Sequence, residues 1–124
     1  MAGTIVSDTI QNGAGASTST SNVINGSCKA WWNINGVTPY TINASYNVSS
    51  VTYISGGQYQ VTFTNAMTDA NYHFSGNAYY NGTSNQMFVN FSSNTPATAS
   101  VVTFYVTNTS SAINPTYFTG SIIR

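Results

Sequence analysis

An all-β fold is predicted: an antiparallel β-sandwich of about seven or eight strands, preceded by an extended N-terminal segment. Three features predict it. Short runs of alternating apolar and polar residues recur about every 10–12 residues. Stretches rich in Gly, Asn, Ser and Pro separate them. No window carries a 3.6-residue apolar period between helix caps. The 124 residues suffice for one domain with a real core.

The elements follow in order. Residues 1–27 open with GTIVSDTIQ and continue as NGAGASTSTSN, a tract too poor in apolar surface to offset its chain entropy. Residues 12–21 are expected to be extended linker. Ile5, Val6 and Ile10 form a short apolar patch suited to docking on a partner. The sandwich is expected over 28–124. In KAWWNING, Ala30, Trp32 and Ile34 alternate with Lys29, Trp31 and Asn33, so the two tryptophans point to opposite faces. Trp32, on the more apolar face, belongs in the core. Trp31, on the polar face, marks a contact surface, and the expected contact is another copy of the chain. NGVTP is a turn. Residues 40–46 and 48–54 are two further short strands, and SGGQ is a hairpin loop leading into YQVTFT. There Tyr59, Val61 and Phe63 share the buried face. AMTDANY is expected to make at most one helical turn. Strands follow at 71–80, 86–91, 101–107 and 117–123, with NGTSN, SSNTPATAS and NTSSAINP as the loops between them.

Composition narrows the function. Only 3% of residues are charged, namely Asp8, Lys29, Asp69 and Arg124, and the net charge is zero. Nucleic acid is excluded as a partner, because phosphate recognition needs clustered Lys and Arg. No membrane insertion is expected, since no apolar run approaches the length of a span. Cys28 stands alone, so no intrachain disulfide exists. It is expected to be a small buried residue at a strand start, with a reactive thiol the alternative. Catalytic groups are scarce. Two acids cannot flank a glycosidic bond when one, Asp8, lies in the tail. One histidine cannot anchor an ordinary metal site, so no cofactor or metal is expected. Asp69 and His73 are four residues apart and allow a serine relay to be drawn, but serines are everywhere. The chain is therefore not expected to be an enzyme. A neutral surface rich in Tyr, Ser, Asn and Gly suits polar recognition around aromatic anchors. Tyr72, Tyr79 and Tyr80, with the Asn-rich turns, suit sugars.

Several of these stretches together carry a resemblance. Lys29-Ala30-Trp31 with Asn33-Ile34-Asn35-Gly36 opens it, and Ala44-Ser45-Tyr46-Asn47-Val48-Ser49-Ser50-Val51-Thr52 continues it. Gly57-Gln58-Tyr59, Val61-Thr62-Phe63-Thr64-Asn65-Ala66-Met67 and Asp69-Ala70-Asn71-Tyr72 complete it. These resemble a β-structured module of tail-fibre and virion proteins of tailed bacteriophages. Gly3 to Gln11 is similar to its short leader. Residues 73–124 match only in strand character. Trp32 stands where the module usually has a smaller Val, which requires local enlargement of the inward side. Thr68 stands where Pro is usual.

The resemblance implies a non-enzymatic virion protein, a short tail fibre or fibre tip, commonly a homotrimer. The leader would attach it to another tail or baseplate protein, and the sandwich would adsorb to a host-surface glycan. Subunit contacts are expected from Trp31, Ile5, Val6 and Ile10. Receptor contacts are expected from Tyr79, Tyr80, Asn81, Asn94 and Tyr117. The location is then the tail or baseplate periphery of the virion. A capsid decoration protein on the head surface is the alternative, and a free carbohydrate-binding module a weaker one.

Overall fold

Side-chain alternation along each strand decides what meets between the sheets. The computed structural model describes residues 3, 6–81, 88–92, 97–108 and 111–124. Eight strands among them form the expected antiparallel sandwich: β3 (Cys28–Asn35), β4 (Ile42–Tyr46), β5 (Val48–Ser55), β6 (Gln58–Phe63), β7 (His73–Tyr79), β8 (Phe88–Phe91), β9 (Val101–Thr107) and β10 (Tyr117–Ile123). One sheet has the order β4-β3-β10-β7 and the other β5-β6-β9-β8. The first and last strands of the sandwich, β3 and β10, pair at the centre of their sheet.

The core is where the two inner faces meet. Ala30, Trp32, Ile34, Phe118 and Ile122 come from one sheet. Tyr59, Val61, Phe63, Val102, Phe104 and Val106 come from the other, and Met67 and Tyr72 close one end. Trp32 packs against both Phe74 and Phe104, with ring centroids 5.8 and 5.9 Å away and rings nearly parallel to it, and those two rings lie 5.6 Å from each other. Room for the indole comes from the facing position of β10. A Cβ on Gly120 would lie 2.4 Å from the Trp32 ring. The indole Nε1 is buried without a hydrogen-bond partner among the described residues. That costs about 1–3 kcal/mol, whereas burying the ring contributes roughly 5 kcal/mol. Packing wins.

Asn47 alone separates β4 from β5 and carries the chain from one sheet to the other. It has φ 56°, the left-handed conformation that Asn tolerates better than other side-chain-bearing residues. Its Nδ2 donates to the carbonyls of Lys29 and Asn65, each at 3.0 Å, and its Oδ1 accepts from the Asn65 N–H at 2.7 Å. The SGGQ loop is a two-residue hairpin, Gly56–Gly57, as expected. Gly57 has φ 69°, and a Cβ there would lie 2.4 Å from the Val106 carbonyl oxygen. The turn at 36–41 holds a cis Thr38–Pro39 bond, and β4 begins only at Ile42.

Two expectations need correction, and one, the single helical turn allowed at 66–72, is narrowed. The stretch 12–21 is not an extended linker. Thr9–Gln11 (β1) and Ser17–Ser19 (β2) pair as a hairpin, and Thr20–Gly26 (α1) is a short helix. Asn12 makes the hairpin turn, its Oδ1 accepting from the N–H groups of Ala14 and Ala16. Ser19 caps the helix by accepting from the Asn22 N–H. Residues 66–72 form no helical turn. Asp69 Oδ1 accepts from the Asn71 N–H instead, and Met67 N–H donates to Ala99. Cys28 is exposed, because the inward alternation of β3 begins at Ala30.

Candidate functional site

The outer face of the β4-β3-β10-β7 sheet collects most of the residues singled out from the sequence. Inward Ala30, Trp32 and Ile34 leave Trp31, Asn33 and Asn35 facing out on β3. Strand register then defines three rows. Trp31 pairs with Tyr46 on one side and Ser121 on the other, and Ser121 pairs with Ser75. Asn33 pairs with Thr119, and Thr119 with Asn77. Asn35 pairs with Tyr117, and Tyr117 with Tyr79.

Aromatic rings therefore frame the face at both ends. Trp31 is 42% exposed, against 1% for Trp32, so the adjacent tryptophans divide between surface and core. Tyr46 lies beside Trp31 and is also exposed. At the other end Tyr79 and Tyr117 stack with centroids 4.9 Å apart. The floor between is polar and uncharged. A shallow groove of about 610 Å³ runs over Asn33, Ser75, Asn77, Thr119 and Ser121, with Trp31 as its wall. A second hollow of about 200 Å³, at the Tyr79–Tyr117 pair, shares Asn77 and Thr119 with it. The Asn33 amide oxygen accepts from Asn43 at 2.9 Å, and the Asn77 amide oxygen accepts from the Ala78 N–H at 2.8 Å. Each side-chain NH2 is thus the end left to donate toward a ligand.

The charged groups stay out of this face. Lys29 turns toward α1, where its Nζ donates to the Ile24 carbonyl and, at 2.5 Å, to Ser27 Oγ. Arg124 pairs with Asp69 at 2.5 Å and donates to the Asn71 carbonyl. The carboxylate that a His73 relay would need is therefore engaged by a guanidinium. His73 is exposed at the start of β7, two residues before Ser75.

The expected receptor residues separate into three groups. Tyr79 and Tyr117 form the stacked pair. Tyr80 and Asn81 adjoin it, with the Asn81 N–H donating to Thr116 Oγ1 at 2.8 Å. Asn94 lies outside the described residues. Tyr72, grouped with Tyr79 and Tyr80 from the sequence, is a core residue instead. Its hydroxyl serves the carbonyls of Thr98 and Val101, both at 3.1 Å, and burial pushes its phenol up to about 12. Of the expected subunit contacts, Trp31 lies on this face and Ile5 outside the described residues. Val6, 90% exposed, and Ile10 lie in the N-terminal unit with exposed Val23 and Ile24. Sequence reading missed Asn33, Asn77, Ser75, Thr119 and Ser121. Their signal was the polar phase of strands already recognised, and it gains meaning only once β3, β10 and β7 are known to be neighbours.

Comparison with known proteins adds no relative: no family model, curated protein or solved structure matches the chain.

Proposed function

We propose that this chain is a structural, non-enzymatic virion protein of a tailed bacteriophage, a short tail fibre or fibre tip that adsorbs to a host-surface glycan. The observation that carries the reading is the outer face of the β4-β3-β10-β7 sheet. Exposed rings frame it, its floor is amide and hydroxyl, and it bears no formal charge. Sugars need flat apolar faces to stack on and neutral hydrogen-bonding groups around them. Trp31 belongs to the recognition face in this reading. Assembly, as a homotrimer docked on a tail or baseplate protein, falls to the N-terminal unit, where Val6, Ile10, Val23 and Ile24 are uncovered.

Immunogold labelling of intact virions with antibody against residues 29–124 tests the placement. Gold at the tail tip or baseplate is the expected result. Gold distributed over the head contradicts it and favours a capsid decoration protein. One observation supports that second reading: α1 buries none of its residues, as suits an arm lying flat on a shell.

A further inference from the structure

We propose that the two hollows on the outer face form one continuous site for a neutral oligosaccharide several sugar rings long, lying along β3, β10 and β7. The inference rests on the glycan-binding reading above and specifies the ligand and how it sits.

Length comes from the register. Trp31 and Asn35 are four residues apart on β3, and Tyr117 is the partner of Asn35. The Trp31 platform and the Tyr117 platform are thus separated by roughly 14 Å along the strands. One pyranose cannot touch both, whereas a short chain can. The hollows adjoin, since Asn77 and Thr119 line both.

Neutrality comes from the lining, which contains no Asp, Glu, Lys or Arg. Lys29 points away to the helix, and Arg124 is paired with Asp69. Nothing here repays the desolvation of a carboxylate or phosphate. The floor also argues against an apolar protein surface as occupant. Such a partner would cover the hydroxyls of Ser75, Thr119 and Ser121 and the amides of Asn33 and Asn77 without replacing their water. A polyol supplies donors and acceptors to all of them while stacking its C–H faces on the rings.

The test titrates the full chain, isotopically labelled, with neutral hexaoses of glucose, mannose, galactose and N-acetylglucosamine. The matching monosaccharides and an oligogalacturonate are run beside them. A glycan array carrying bacterial surface polysaccharides is probed in parallel. The indole N–H of exposed Trp31 reports on the groove. At least one neutral hexaose or array glycan is expected to shift the Trp31 signal, with its monosaccharide binding at least about tenfold more weakly. Trp31→Ala and Tyr117→Ala are each expected to weaken binding about tenfold or more, and Trp31→Phe to restore part of it. Glycan binding unaffected by either alanine variant overturns the groove and leaves the adsorption reading standing. Preference for oligogalacturonate overturns the neutral assignment. No binding to any probe overturns both readings. Self-association lost on Trp31→Ala, with no glycan effect, makes the face a contact between copies.

Discussion

At the residue scale, Asn47 has the most demanding position. It combines a left-handed backbone with three hydrogen bonds that tie the corner between the sheets to both of its neighbours. Asn47→Gly keeps the conformation and loses the bonds, and is expected to lower stability by about 2–3 kcal/mol. Asn47→Ala is expected to cost about 1 kcal/mol more, since alanine resists positive φ. Urea denaturation of the two variants checks both values and their order. Gly120 is constrained by packing instead. Gly120→Ala pushes a methyl group into Trp32 and is expected to cost about 1–3 kcal/mol, read as a lowered denaturation midpoint. Burial raises the Tyr72 phenol to about 12, and the Tyr59 phenol further, with Tyr40 and Tyr53 adding to the rise. The unfolded chain releases these protons near pH 10, so the folded state binds more protons above that value. Stability is therefore full below pH 10 and falls as pH rises through the folded values, by about 1.4 kcal/mol per pH unit for each phenol. Denaturation midpoints between pH 9 and 12 check the slope, which Tyr72→Phe is expected to make shallower.

At the element scale, the molecule divides into strands that share a core and an N-terminal unit that does not. An isolated two-stranded hairpin is marginal in water, and a seven-residue helix is shorter than a self-sustaining one. No residue of α1 is buried, so this unit contributes little to the sandwich. Deleting residues 1–27 is expected to change the stability of the remainder by less than about 1 kcal/mol. A transition midpoint that drops by many degrees contradicts this. The eight sandwich strands were legible because half-buried strands write a period of two into the sequence, as YQVTFT and KAWWNIN do. Helix α1 was not legible from periodicity, because TSNVING buries no face. Its cap Ser19 and its terminal Gly26 were the available signal. The hairpin before it hides in small polar residues that favour no one structure and is held by the side chain of Asn12.

At the scale of the whole molecule, the proposed sites lie on two separate parts, the exposed apolar residues of the N-terminal unit and the uncharged outer face of one sheet. The sequence showed that Trp31 must face outward and that Tyr79, Tyr80 and Tyr117 were candidates. It did not show that Trp31 and Tyr117 share a face, because that depends on the central pairing of β3 with β10, strands distant in the chain. Strand order is a long-range property that local patterning does not encode. An uncharged recognition face also predicts binding that is nearly independent of ionic strength, unlike steering by charge. The most direct test of recognition through this face is competition for adsorption. Purified protein is incubated with host cells before phage is added, and free phage is counted. The account predicts that the wild-type chain blocks adsorption equally at 50 mM and 500 mM salt, and that a folded Trp31→Ala/Tyr117→Ala variant does not block it. Undiminished blocking by the double variant would contradict it.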